Sequence, residues 1–160
     1  MQDLTEAILE LVRRTSTDLP ADVEASLRRA VEVEEPGSAA RGALETILKN
    51  VEISRQNSTP ICQDTGTPIF YVYYPAGWST RQLRKQIESA VADATKRSYL
   101  RPNSVNALTE KNTGNNLGGD YFPVVHFEDP KCRSTSPQVC ISGLHDTHHP
   151  RNKGYHQGLG

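Results

Sequence analysis

Apolar residues at Leu4, Ile8, Leu11 and Val12 fall at the spacing of one helical face in "DLTEAILELVRRTS", with Asp3 placed to cap it. The stripe resumes after Pro20 at Val23, Leu27, Ala30 and Val31, and Pro36 and Gly37 of "EEPG" end it. A third helical segment, "SAARGALETILKNVEISRQN", is expected to bury Ala40, Ala43, Leu44, Ile47, Leu48 and Val51. The period then changes. "PIFYVYYP" sets aromatic and β-branched residues between two prolines, the composition and length of a buried strand. Ser79 or Thr80 can cap a fourth helix whose stripe is Leu83, Ile87, Ala90, Val91 and Ala94. Residues 101–120 lose all periodicity and are rich in Asn and Gly, predicting a long loop, a feature usually functional or disordered in a compact domain. "DYFPVVHFE" predicts a second strand, with Pro123 placing it at an edge or marking its start.

The pattern is that of an α/β fold: a helical N-terminal layer, then strand, helix and strand. From residue 129 the chain changes character. "PKCRSTSPQVCISGLHDTHHPRNKGYHQGLG" has no helical or strand period and few apolar side chains, and it holds four of the five histidines. Such a segment buries too little surface to offset its ordering entropy, so residues 129–160 are expected to form an irregular, disordered or loosely attached tail.

Length and charge narrow the class. At 160 residues the chain is about one domain long. A formal net charge of -1 gives no basic face for nucleic acid or a membrane surface. No apolar run approaches the roughly 18 residues of a membrane span, and the N-terminus lacks the pattern of a signal peptide. Three widely spaced cysteines make no secreted disulfide framework. The cytosol is the expected compartment, where a cysteine is reduced, catalytic or metal-bound.

Chemistry concentrates in "STPICQDTGTPIFYV". Cys62 opens a turn and is followed by an amide, a carboxylate, a hydroxyl and a glycine, a soft ligand beside hydrogen-bonding groups. Gly66 lets a backbone approach closely, and Pro60 and Pro68 stiffen both sides. A cysteine before a strand also reads as a packed core residue. Asp64 also reads as the opening of an Asx-turn, and Arg101 as a surface arginine at a helix end, favoured by the dipole.

In order, the cysteine turn, the strand, "LRPN" and the "KNTGNN" loop resemble the iron–sulfur hydro-lyases, the class I fumarate hydratases and the related tartrate dehydratase alpha subunits. The resemblance covers residues 1 to about 128 and implies the start of that family's alpha catalytic domain. It further implies a [4Fe-4S] cluster held by three cysteines, with one open iron acting as a Lewis acid in the interconversion of malate and fumarate. Carried over by motif, Cys62 is a cluster ligand. Gln63 and Asp64 contact the substrate, with Asp64 the catalytic member. Arg101 grips a substrate carboxylate with its bidentate fork. The resemblance implies a small dicarboxylate substrate and either a homodimer or a beta subunit as partner.

After Glu128 the family's glycine-rich "KGGG" continuation is absent, and "DPKCRSTSPQVCISGLHDTHH" stands in its place. Cys132 and Cys140 complete a count of three, but neither has the family's surrounding residues, so neither is assigned to the cluster. With His145, His148 and His149 they fit no standard zinc finger spacing. Such a break is what a shifted reading frame would leave, and with one assigned ligand the chain alone is expected to have little or no activity.

Overall fold

The computed structural model describes residues 2–62, 68–106, 108–118, 122–128 and 138–142. Three helices come first: α1 (Thr5–Thr17), α2 (Ala21–Val33) and α3 (Ala39–Asn57). Strand β1 (Ile69–Tyr73), helix α4 (Thr80–Lys96) and strand β2 (Val124–Glu128) follow, and β3 (Gln138–Ser142) closes a sheet of order β2-β1-β3. β1 and β2 are parallel, with Ile69 opposite Val124, whereas β3 runs antiparallel to β1 with Tyr73 opposite Gln138. A parallel pair needs a crossover, and α4 with the loop after it supplies one.

Each helix starts and stops where its local chemistry requires. Asp3 Oδ1 accepts from the backbone N–H of Thr5 at 3.0 Å and from its hydroxyl at 2.7 Å, satisfying an end donor of α1. Pro20 stands at the N-cap of α2, as its position in the sequence predicts. Ser38 Oγ accepts from the N–H of Arg41 at the start of α3, and Ser79 Oγ accepts from Gln82 at the start of α4. Gly37 carries φ 83°, a conformation that stops α2 from running into α3.

The core lies between the sheet and two helices. Leu83, Ile87, Ala90, Val91 and Ala94 of α4 are fully buried, as their spacing predicts, and Leu4, Ile8, Leu11 and Val12 of α1 join them. Phe70 and Val72, the alternate residues of β1, are fully buried under the same layer, and Val125 and Phe127 of β2 pack against it. The other parity faces away: the Tyr71 and His126 rings, cross-strand partners, stack 5.0 Å apart. β2 is an edge strand with Pro123 just before it, in accord with the sequence expectation.

Two expectations are corrected here. The stripes of α2 and α3 do not form core: α2 has no buried residue, and α3 buries only Val51 and Ser54 near its end. Ala40 and Ala43 are exposed, Leu44 and Leu48 are partly exposed, and Ile47 keeps 45% of its surface. The two helices pack on each other as a hairpin, and no described element covers the rest of their apolar stripe. The second correction concerns the tail. Residues 138–142, "QVCIS", form β3 on the free side of β1, so part of the segment expected to be irregular is a strand. The alternation of Val139 and Ile141 between Pro137 and Gly143 is easily lost in an otherwise polar segment, and pairing with β1 makes it a strand. The rest of 129–160 lies outside the described residues.

Charged groups tie the hairpin to α1. Arg55 donates to Asp18 and to Glu24, each at 2.7 Å, and these bonds lower the Glu24 carboxyl pKa and raise that of the guanidinium. Glu10 takes both arms of Arg13 and also Nε of Arg14, all at 2.7 Å. The bond to Arg13 first, then Arg14, holds Glu10 down to about 2 from 4.5. No helix among the described residues is long and apolar enough to cross a membrane.

Substituting Phe70→Ala should cost about 3–5 kcal/mol in chemical denaturation, because the ring leaves a cavity between sheet and helices. Val33→Ala, at a side chain 86% exposed, should stay within about 0.5 kcal/mol. Glu10 has a depressed folded-state value, so its contribution is full above about 4.5 and fades as pH falls toward about 2. Because the carboxylate is 43% exposed, screening limits that contribution to under about 1 kcal/mol. Glu10→Gln should therefore be slightly destabilising at neutral pH, and its difference from wild type should shrink on acidification.

Candidate active site

Of the candidate residues, Cys62 and Arg101 are described, and each follows a helix end. α1 and α4 run in the same direction: Gln86 exchanges hydrogen bonds with the backbone of Gln2 and Leu4 at one end, and Arg13 feels Tyr99 at the other. The C-termini of α1 and α4 therefore lie at the same edge of the described fold.

Cys62 belongs to that edge. The N–H of Ile61 donates to Ser16 O at 3.1 Å, and Asn50 Nδ2 donates to Ile61 O at 2.8 Å, pinning the turn to the ends of α1 and α3. Ser58, at φ 52°, reverses the chain out of α3 just before. Cys62 is exposed, so it is not a packed core residue. The core alternative raised by the sequence is thereby excluded. Gln63 and Asp64, expected to contact substrate, lie outside the described residues.

Arg101 reaches the same edge from α4. Ser98, Tyr99 and Leu100 hydrogen-bond back to Thr95 and Ala94, and buried Leu100 anchors the chain one residue before the exposed arginine. Cys62 and Arg101 thus share an edge, each in a turn next to a helix end.

The stretch after Arg101 is ordered by side chains, not by a ladder. A bridge pairs Val105 with Asn112, and the N–H of Thr113 donates to Ser104 O at 2.9 Å. Asn106 Oδ1 accepts from the N–H groups of Leu108 and Thr109, and Asn115 Oδ1 accepts from Leu117. Asn112 Nδ2 donates to Pro102 O, while its Oδ1 accepts from Gly114 at 2.7 Å. Asn116, only 4% exposed, uses its whole carboxamide. Its Oδ1 accepts from Asn103 at 2.8 Å and Ser104 at 3.1 Å, and its Nδ2 donates to Arg101 O at 2.7 Å and Thr95 Oγ1 at 3.0 Å. The described part of the loop is therefore structured. Reading the sequence singled out no asparagine within it, although adjacent asparagines in an aperiodic stretch are the usual mark of side chains standing in for a ladder.

Among the described residues no group of three or more His, Cys, Asp or Glu side chains could hold a metal ion. A groove of about 430 Å³ at the end of α1 is lined in part by Arg13, Arg55 and Asp18. Its arginines already pair with Glu10, Asp18 and Glu24, so it lacks the uncompensated charge an anion site needs.

A sequence model of the family described as fumarate hydratase (fumerase) matches residues 5–143. The chain belongs to the fumarate hydratase (fumerase) family. It is 44% identical over 128 residues to a Geobacillus stearothermophilus protein named for class I fumarate hydratase, covering 80% of this chain and 25% of that protein. It is 31% identical over 116 residues to the L(+)-tartrate dehydratase subunit alpha of Escherichia coli K12, covering 72% of this chain and 38% of the subunit. A Methanocaldococcus jannaschii protein named for the same subunit is 31% identical over 118 residues, of which this chain spans 41%. The chain thus spans between a quarter and about two fifths of these curated relatives. The match of 5–143 takes in β3 as well as the segment up to Glu128.

An exposed Cys62 should be carboxymethylated by iodoacetamide in the native chain, faster than a cysteine packed in the core would be. Peptide mapping by mass spectrometry checks this, and strong protection of Cys62 would contradict the placement.

Proposed function

We propose that this chain is the N-terminal, dicarboxylate-gripping part of an iron–sulfur hydro-lyase that interconverts fumarate and malate. The observation that carries the reading is 44% identity over 128 residues to a protein named for that activity, in a chain that exposes Cys62 and Arg101, each in a turn following a helix end. Greater identity to that protein than to the tartrate dehydratase subunits, at 31%, favours fumarate over tartrate.

In this reading Arg101 offers its planar fork to one carboxylate of the substrate, an arrangement a lysine would not reproduce. Gln63 and Asp64, in the turn opened by Cys62, contact the substrate, with Asp64 the catalytic member. The cofactor implied is a [4Fe-4S] cluster with the Cys62 thiolate as one ligand. One thiolate does not hold a cluster, and the described residues do not complete the set, so no step through iron is derived for this chain. Alone it should show little or no activity. The missing ligands belong to a longer family architecture, completed within a homodimer or with a beta subunit. The division near residue 128 and a cytosolic location belong to the same proposal.

The competing reading is a non-catalytic helical module, favoured by an α2–α3 hairpin that contributes almost nothing to the core. A chimera separates the two. Residues 1–128 replace the matching segment of the Geobacillus protein, and the product is reconstituted anaerobically with iron and sulfide. A brown protein that hydrates fumarate, and loses at least about a thousandfold in rate on Cys62→Ser, supports the hydro-lyase reading. A folded but colourless chimera supports the module, and faster dehydration of L(+)-tartrate than hydration of fumarate overturns the substrate assignment.

A further inference from the structure

The carboxamide of Asn116 is buried, yet most of what it holds is exposed. Removing a carboxamide from water without partners costs several kcal/mol, so its four bonds are needed to keep it there. A structural asparagine would be expected to tie core elements to one another. One bond does reach α4, at Thr95, whose hydroxyl donates in turn to Val91 O at 2.8 Å. The other three hold the backbone of Arg101, Asn103 and Ser104, and Arg101 and Asn103 are exposed. Asn112 takes the carbonyl of Pro102 between them. Four successive residues thus have a backbone group claimed by a side chain, and Ser104 also accepts from Thr113 beside the Val105–Asn112 bridge. Asn116 itself sits at φ 56°, a left-handed conformation that asparagine tolerates better than most residues.

We propose that Asn116 is the positioning residue for Arg101: it ties the arginine's backbone to the end of α4 so that the guanidinium is presented to a dicarboxylate at a fixed place. The proposal rests on the reading of Arg101 as the carboxylate grip. Preorganisation is what the arrangement provides, because a long arginine on a mobile turn would lose part of its binding energy to ordering that turn. Thr95 is the second member of the clamp. Its hydroxyl both accepts from Asn116 and donates into α4, so it transmits the rigidity of the helix to the turn.

The test uses the full chain with four variants: Asn116→Asp, Thr95→Val, Thr95→Ser and Arg101→Met. Amide exchange at Asn103 and Ser104 reports the clamp, and fumarate titration followed at the Arg101 Nε–H resonance reports the grip. Asn116→Asp keeps the acceptor oxygen but loses both donors, and Thr95→Val loses the hydroxyl. Both should weaken fumarate binding at least about tenfold and speed exchange at Asn103 and Ser104, with α1 and α4 amides still protected. Thr95→Ser, which keeps the hydroxyl, should restore both readouts to near wild type. Unchanged fumarate binding in Asn116→Asp and Thr95→Val, with wild type binding through Arg101, would overturn the positioning role and leave the reading of Arg101 intact. If wild type shows no response to fumarate, or Arg101→Met binds equally well, the carboxylate grip itself fails and the positioning role fails with it.

Discussion

Phe70 and Val72 lie under a lid made by Ile8 and Val12 of α1 and by Leu83, Ile87 and Val91 of α4, all buried to the last percent or so. Each such side chain contributes about 1.5–3 kcal/mol, and close packing lets none of the three elements slide past the others. Everything at the candidate site is placed by this contact. Because α1 and α4 are locked side by side in the same direction, their C-termini end together at one edge of the described fold. The turn carrying Cys62 and the turn carrying Arg101 grow from that edge.

That location differs from the usual one for ligands in open parallel sheets, which bind at the carboxyl ends of strands. Here the candidate side chains precede β1 and follow α4. With the core holding the helix ends, polar groups hold the turns: the Asn50 side chain and the Ser16 backbone carbonyl on one side, the side chains of Thr95, Asn112 and Asn116 on the other. Hydrogen bonds suit this task because a turn at an edge has no sheet partner and little apolar surface to bury. Its order has to come from donors and acceptors within reach.

The α2–α3 hairpin obeys a different economy. Its apolar stripe at Val23, Leu27, Ile47 and Leu48 is half-covered, and it joins the body of the fold through Val51, Ser54 and the Arg55 bonds to Asp18 and Glu24. Surface ion pairs contribute little individually, so they orient the hairpin more than they stabilise it. In a chain that spans a quarter of the Geobacillus protein, a helical layer with an uncovered side is physically consistent with a larger body of the same family.

Local chemistry alone determined most of the elements. A 3.6-residue stripe with a capping Ser or Pro specifies a helix wherever it occurs, which is why α1 through α4 and the strand at 69–73 were legible residue by residue. The family was legible as well, from the order of the cysteine turn, the strand, "LRPN" and the "KNTGNN" loop, and the family match over residues 5–143 agrees with it. Tertiary structure decided what periodicity cannot encode. An apolar stripe states that a helix has a face to bury but not what buries it, so α3 read as core although its neighbours leave it half-exposed. Val139 and Ile141 alternate between Pro137 and Gly143, a strand signal easily lost in an otherwise polar segment, and pairing with the other side of β1 made 138–142 a strand. Asn116 looked like any other asparagine in an aperiodic loop, because a carboxamide's role depends on which four backbone and hydroxyl groups surround it. That is a property of distance in space, on which sequence spacing is silent.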